Sequence, residues 1–419
     1  MKSLPRFLTL RLLEALKVSP VVFLNGARQS GKSTLVQNNL SRIGTKAAPA
    51  TYISFDRPTQ MAAAAAAPEA FLTGYKNKLV IDEVQLVPEL FRALKVVVDE
   101  LRLNDRSNAN GKYLLTGSAN ILALPKLSDP LVGRMSVMTL FPFCTAEASQ
   151  GKGNGLERLL SMDFEGITDR GISITEAIKM ATYPEIADKD EGERHIWFDG
   201  YLATILQRDV RTIAELEKIA LLPNLLRILA IRSANLLNDS DIARDIGLNP
   251  VTTKFYRSIL KMMFLTFDIE PWFRNIGKRL VKSAKGFLTD TLLLCHMLDW
   301  NLEDMAANKP ELFGHVLENY VATELVKQLS FTDTNAQLFH FRTSDGKEVD
   351  FIIEKADGSL FAIEIKKTEA VNNDDFKGIR LFAELNEKEF TGGVVLYAGK
   401  DVVPFGKNLW AVPLHVLWQ

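Results

Sequence analysis

The chain has 419 residues and a formal net charge of −1. That length is too great for one ordinary core, so two or three domains are expected. The balanced charge excludes a strongly basic chain that coats nucleic acid by charge alone, and leaves room only for a local basic patch. Hydrophobic residues at 47% beside charged residues at 24% are the composition of a soluble globular protein. Cys144 and Cys295 allow at most one disulfide and have no CxxC-type neighbour, which points to a reducing cytoplasm. The N-terminal MKSLPRFLTLRLLEALK reads as an amphipathic helix, not as a signal peptide. No apolar run approaches the ~20 residues of a membrane span, so no membrane partner is expected.

From residue 20 to 145 short β-rich runs alternate with helical stretches, the pattern of a parallel sheet with crossover helices. Strands are expected at Val21–Asn25, Thr51–Phe55, Lys78–Asp82 and Lys112–Thr116. Helices are expected at Ser33–Leu40 and Glu89–Leu101, and a short one over the alanine run 62–67. The first strand leads into Gly26-Ala27-Arg28-Gln29-Ser30-Gly31-Lys32-Ser33, a complete G-x-x-x-x-G-K-[ST] between an apolar strand and a helix. Glycines let backbone N–H groups wrap phosphates, and a helix N-terminus adds favourable partial charge. Lys32 is expected to neutralise the β- and γ-phosphates, Ser33 to ligate Mg²⁺, and Thr34 to touch the α-phosphate; the cofactors are ATP and Mg²⁺.

The third strand run ends in Asp82-Glu83. Asp82 is placed to hold the Mg²⁺ shell and Glu83 to polarise the attacking water. The next strand ends Leu115-Thr116-Gly117-Ser118-Ala119-Asn120. A polar residue there can sense the γ-phosphate: Ser118 is favoured, with Thr116 and Asn120 as rivals. Arg134 is a candidate arginine finger or sensor, in cis or from a neighbouring subunit; the alternative is a surface salt bridge.

Residues 149–156, SQGKGNGL, form a Gly-rich polar break, and 157–235 read as helical. Asn238–Ile246, the turn Gly247-Leu248-Asn249, and a second helix from Pro250 to about Met263 match a helix-turn-helix. The second helix would project Thr252, Thr253, Lys254 and Arg257 toward phosphates or base edges. Arg274, Lys278, Arg279, Lys282 and Lys285 then fall within twelve residues, spaced like a basic wing. Such a wing suits a DNA backbone, and equally a packing or oligomer module with a solvated charged face.

A long helix from Glu311 is followed by strands. Glu348–Glu354 and Leu360–Lys366 alternate about Ala356-Asp357-Gly358, which suits a three-residue hairpin loop. That loop pairs Lys355 with Ser359 and hence Asp350 with Glu364. One face would carry Asp350, Ile352, Ala362, Glu364 and Lys366; the other, Phe351, Ile353, Phe361, Ile363 and Ile365, would be the core. Two acids and a lysine converging this way form the PD-(D/E)xK nuclease pattern, with Glu318 on the preceding helix as an accessory acid. Glu318, Asp350 and Glu364 would hold Mg²⁺ or Mn²⁺ through oxygen, and Lys366 would orient water. The same residues suit an inherited nuclease fold that no longer cuts.

The chain resembles prokaryotic AAA-family ATPases that carry a C-terminal domain of unknown function. GARQSGKST is similar to that family's GxRQxGKTT loop, with Ser33 in place of the commoner Thr. ISFDRP (with Asp56), VIDEVQ, LLTGSAN, LVGRM and LFPFCTAEA follow in family order, as do ATYPEI, YLATILQRDV, PWFRNIGKRLVKSAKGFLTD, LENYVATEL and RTSDGKEVDFIIE. The resemblance covers nearly the whole chain and implies ATP binding and architecture rather than a substrate. The expected class is α/β: an AAA-type P-loop parallel-sheet domain (1–148), a helical lid or linker (149–235), a winged-helix-like domain (236–300), and a restriction-endonuclease-like PD-(D/E)xK α/β domain (301–419). Three functions stay open: an ATPase acting on DNA, an ATP-gated metal-dependent nuclease, and a nucleotide-dependent switch that binds itself or a protein partner.

Overall fold

A computed structural model describes residues 4–104, 109–118, 131–210, 218–279 and 282–419. Its contacts divide the chain into two compact units: residues 1–142 with 262–264, and residues 143–261 with 265–419.

The first unit is a five-stranded parallel sheet in the order β2-β3-β4-β1-β5: β1 (Val21–Asn25), β2 (Thr51–Ser54), β3 (Leu79–Asp82), β4 (Tyr113–Gly117) and β5 (Met135–Thr139). Parallel neighbours demand crossovers, which the helices Pro58–Ala66, Pro68–Thr73 and Leu90–Asn104 help to supply. β1 and β4 are buried along their whole length, as sheets covered on both faces require. β5 is absent from the sequence expectation because MSVMT is an edge strand whose side chains are only half covered. The helix expected over Ser33–Leu40 stops at Gln37 and resumes at Leu40–Ile43. Asn39 lies at the break, its side chain donating to the Leu35 carbonyl (2.8 Å), the competition that keeps asparagine out of helix interiors.

The order of strands positions the chemistry. β4 lies between β1 and β3, so the C-terminal ends of all three meet: the loop after Asn25, the end of β4 at Thr116–Ser118, and Asp82–Glu83.

In the second unit the helices Asp239–Ile246 and Pro250–Met262 flank a left-handed Gly247 (φ 68°), and β6 (Thr266–Ile269) pairs antiparallel with β7 (Lys285–Leu288). Asn238 caps the first helix, accepting from the Ser240 N–H at 3.0 Å. The helix Pro310–Phe331 is buried nearly all round. Its polar side chains satisfy loop backbone instead of water. Lys327 donates to the Phe143 and Ala181 carbonyls (2.9 and 3.0 Å), and Gln328 bridges the Leu156 N–H and the Leu417 carbonyl (both 2.8 Å).

A six-stranded sheet completes the unit in the order β12-β13-β11-β10-β9-β8: β8 (Ala336–Arg342), β9 (Glu348–Lys355), β10 (Leu360–Lys366), β11 (Phe390–Tyr397), β12 (Val403–Gly406) and β13 (Leu409–Pro413). The expected hairpin register holds, with Leu360 opposite Glu354 and Ile363 opposite Phe351. The expected division into a polar and a core face does not. Ile352 and Ala362, assigned to the polar face, are wholly buried in a cluster with Phe376, Ile379 and Phe382. Moreover Phe339 faces Ile352 while Phe341 faces Val349, so β9 carries an extra residue at Asp350–Phe351. Val349 and Ile352, three residues apart, both join that cluster. The bulge breaks the alternation and re-aims the acid.

Candidate functional site

The phosphate loop runs from Gly26 to Ser33. Gly26 has φ 146°, and a Cβ there would lie 2.2 Å from the Leu140 carbonyl oxygen, so this position admits only glycine. Gly31 (φ 94°) turns the chain into the helix Lys32–Gln37. Lys32 is buried and its ammonium donates to the carbonyls of Gly26 (2.9 Å) and Ala27 (2.8 Å). Burial lowers its pKa to about 8, because two carbonyl dipoles replace hydration poorly and no carboxylate compensates fully. The Ser30 hydroxyl is buried without a hydrogen-bond partner. A loop holding a poorly satisfied ammonium, an orphaned hydroxyl and a cradle closed to Cβ fits an incoming phosphate.

Arg6, which sequence reasoning missed, braces this loop. Its guanidinium donates to the Ser30 and Phe141 carbonyls, both at 2.6 Å. An arginine two positions before the helix Leu8–Val18 carries no local signal for that role.

Asp82 is 3% exposed and accepts from Ser33 Oγ (2.7 Å), Tyr52 (2.5 Å) and Thr116. Burial, then the bond to Asp82, raises Tyr52 to about 12, so it stays a donor. Ser33 and Asp82 thus offer neighbouring oxygens suited to one hard cation such as Mg²⁺. Glu83 is left-handed (φ 57°, ψ 43°), a strained state for this residue type, and the carboxylate bonds Gln85 and Ser118 (3.2 Å). Gln85 also donates to Ser118 Oγ at 3.0 Å. The structure therefore separates the two hydroxyls: Thr116 serves Asp82 and Ser118 serves Glu83. Asn120, the third rival, lies outside the described residues.

Arg134 goes elsewhere. It precedes β5, and Met135 pairs with Val21 at the start of β1, whereas the phosphate loop follows the end of that strand. A strand length of about 16 Å separates them. The guanidinium forks onto Asp99 at 2.6 and 2.8 Å. This corrects the expectation of a role in cis: Arg134 cannot reach the nucleotide loop of its own chain.

The helix-turn-helix candidates are scattered. Lys254 is exposed and Thr252 half-buried, but Thr253 is buried, bonded to the Asn249 carbonyl (3.0 Å). Arg257 is held by Asp239 and by Asp268 (3.0 Å). Arg279 bonds Glu354 at 2.5 Å and stacks over Phe339, with 4.6 Å from its guanidinium carbon to the ring centre. Lys282 is exposed, and the side chain of Lys278 lies outside the described residues. Of the expected basic wing, Arg279 and Lys285 thus turn inward onto acids.

The C-terminal acids do converge. Asp350 accepts from the Ile365 N–H (2.9 Å), and Lys366 bonds Glu364 (3.0 Å) and lies 3.9 Å from Asp375. The unforeseen member is Lys285 of β7, with a side chain 5% exposed: its ammonium is 2.7 Å from Glu318 and 3.7 Å from Asp350. Burial opposes its charge, but the carboxylates of Glu318 and Asp350 outweigh that and hold it above an ordinary lysine. Burial pushes Glu318 the other way, toward the protonated acid, as does Asp350. At 2.7 Å from a charged ammonium, the ion-pair form of Glu318 is the consistent one. Glu364 is raised by burial and by Asp350, and its Oε2 is buried without a partner. These oxygens suit a divalent cation by type, yet Lys285 already supplies a cation among them; as folded, the residues do not fit a nuclease metal.

A family model described as an AAA domain matches residues 18–149. Two described as domains of unknown function, DUF8612 and DUF4143, match residues 173–304 and 313–417. The chain is 27% identical over 408 residues to an uncharacterized protein of Mycobacterium tuberculosis, covering 96% of this chain and 82% of that one. It is 24% identical over 400 residues to an uncharacterized protein of Haemophilus influenzae, covering 89% and 92%. Solved structures similar to it include the Walker-type ATPase of Pyrococcus abyssi (TM-score 0.43, 16% identity, 69% of this chain and 94% of that one). Another is AMPPCP-bound DnaA from Aquifex aeolicus (TM-score 0.30, 14% identity, 60% and 86%).

Proposed function

With residues 18–149 an AAA-type P-loop ATPase domain, we propose that the protein hydrolyses ATP with Mg²⁺ and couples nucleotide state to a DNA-binding or nuclease-like C-terminal region. The observation that carries this is the joint of Ser33 with Asp82 (2.7 Å) beside Glu83 bonded to Ser118. Lys32 would exchange two carbonyls for phosphate oxygens, with the backbone from Gly26 to Thr34 around them. Ser33 and Asp82 would hold Mg²⁺, which neutralises charge on the phosphates. Glu83 would orient water and accept its proton, and Ser118 would link that carboxylate to the phosphate end of β4. Lys32→Ala should lose nucleotide binding by calorimetry, while Glu83→Gln should bind ATP without turning it over. Turnover by Glu83→Gln at the unaltered rate removes Glu83 from this role.

The helix-turn-helix followed by the β6–β7 hairpin supports a winged helix, and among the described side chains exposed Lys254 and Lys282 are candidates for a DNA backbone. An ATPase rate unmoved by added DNA counts against DNA as the partner. The exposed Val251 and Phe255 on the same helix favour the switch reading instead, with a protein or a second copy as partner. The convergence of Asp350, Glu364, Lys366 and Glu318 supports a nuclease-like fold; plasmid left intact with Mg²⁺, Mn²⁺ and ATP would set cleavage aside. Both cysteines are free and buried, in keeping with the cytoplasm; no described helix is long and apolar enough to cross a membrane.

A further inference from the structure

We infer that Lys285 is a built-in cation that excludes divalent metal from the Glu318–Asp350–Glu364 pocket, so that this nuclease-like site is metal-free as folded. The inference rests on the nuclease-like reading of that pocket. The ammonium lies 2.7 Å from Glu318 and 3.7 Å from Asp350, the oxygens a bridging metal would need. The Lys285, Glu318, Asp350 and Glu364 side chains are only 5 to 16% exposed, so the lysine cannot move aside into water without β7 moving. The backbone around Lys285 is held on both sides: Lys285 lies opposite Ile269 of β6 and bridges Leu236, where the Leu237 N–H donates to the Ala284 carbonyl and the Gly286 N–H to the Asn235 carbonyl. Other groups facing the pocket include Lys366, 3.0 Å from Glu364 and 3.9 Å from Asp375, and Glu348 on β9. Lys285 fills the space between Glu318 and Asp350 and Lys366 stands beside Glu364, which leaves too little room for a dication with several oxygen ligands. Metal loading then requires displacement of β7, the second strand of the hairpin that follows the helix-turn-helix.

The test is Mn²⁺ titration of the nucleotide-free full chain by calorimetry and electron paramagnetic resonance. Lys285→Met should take up one more equivalent than the unaltered protein, about 100-fold tighter than any Mn²⁺ the latter binds there. Adding Asp350→Asn should remove it. If the unaltered protein already binds an equivalent that Glu364→Gln or Asp350→Asn abolishes, Lys285 excludes nothing and the inference falls. It falls equally if folded Lys285→Met gains none. Should Lys285→Met fail to fold by circular dichroism, the comparison of unaltered protein with Glu364→Gln still decides. Cleavage is read separately: Lys285→Met that binds Mn²⁺ without cutting DNA sinks the nuclease reading and leaves this inference standing.

A different cluster carries a second inference. His195 and Asp199, one turn apart on the helix Glu191–Thr204, meet His296 from the helix Thr291–Met297. Asp199 lies 3.6 Å from His195 Nε2 and 3.2 Å from His296 Nε2, and the three ligand atoms fall within 4.8 Å of one another. Tetrahedral N and O ligands about 2.0–2.2 Å from a metal stand ~3.3–3.6 Å apart, which the two spacings to Asp199 already match. His296 is set against Phe198, with ring centres 5.3 Å apart. The geometry points to a Zn²⁺-type site of two imidazoles and one carboxylate, open to one side for water or an external ligand. Calorimetry with ZnCl₂ should show one equivalent in the full chain that is lost in His195→Ala, an exposed position, with folding of the variant checked by circular dichroism. An isotherm in His195→Ala identical to that of the unaltered protein overturns the assignment.

Discussion

Lys32 and Lys285 are both buried lysines beside acids, and their surroundings differ in what they leave undone. Lys32 has two backbone carbonyls, and its pKa is lowered to about 8; it is a cation held short of compensation until an anion arrives. Lys285 has Glu318 and Asp350, and its pKa is raised; it is a cation already answered. Residue types alone cannot tell these apart. What separates a site awaiting a ligand from one that supplies its own counter-ion is whether the chain has closed the charge balance.

The largest expected effect is on the nucleotide side. Lys32→Ala should weaken ATP binding by on the order of 100-fold or more, while urea unfolding changes little, because no carboxylate is orphaned. The converse holds in the other unit. Glu318→Ala should cost about 3 kcal/mol of stability by urea unfolding, since it strands a buried ammonium, and leave ATP affinity unchanged. Equal loss of both properties in either variant would break the contrast. Arg6→Ala should weaken ATP binding by about 10-fold through loss of the bonds that tie the Ser30 and Phe141 carbonyls together, each worth about 1 kcal/mol or less.

A pH series sharpens the comparison. Burial raises Glu364 to about 8 from 4.5, so between those values the folded chain holds a proton that the unfolded chain has lost. Its contribution is therefore most favourable below pH 4.5 and declines as pH rises through the window, with a slope of at most about 1.4 kcal/mol per pH unit. Urea midpoints from pH 5 to 8 should show that decline, and Glu364→Gln should flatten it. The smallest effect is expected for Arg134→Ala: ATPase rate unchanged at low protein concentration, where a neighbouring subunit cannot contribute.

Sequence order made one end of the first sheet legible because β1, β3 and β4 each end beside residues of the candidate site: Asn25 before the glycines, Asp82 before Glu83, Thr116 before Ser118. Those are local facts, and the structure keeps them. The hairpin register was legible for the same reason, since Ala356-Asp357-Gly358 fixes the pairing of its two strands. The bulge at Asp350 was not, because it answers to β8, a strand outside the hairpin. Nor were Arg6, Tyr52 and Lys285, whose partners lie 24, 30 and 33 residues or more away. A basic run reads as a solvated or nucleic-acid-facing surface until the acids that claim it are located. Arg279 and Lys285 show how tertiary pairing overrides that signal.

The polar side chains of the helix Pro310–Phe331 have a practical meaning for dissecting the molecule. Glu324 accepts from the Thr145 N–H, Asn319 bonds both the N–H and the carbonyl of Leu288, and Lys327 and Gln328 hold loops near residues 143, 156, 181 and 417. A fragment truncated before this helix would expose apolar surface and orphan those backbone groups together, so it should emerge as insoluble material rather than as a free-standing middle piece. Recombination that exchanges one part of residues 143–419 for a foreign counterpart would meet the same penalty, which favours their transmission as a single cassette.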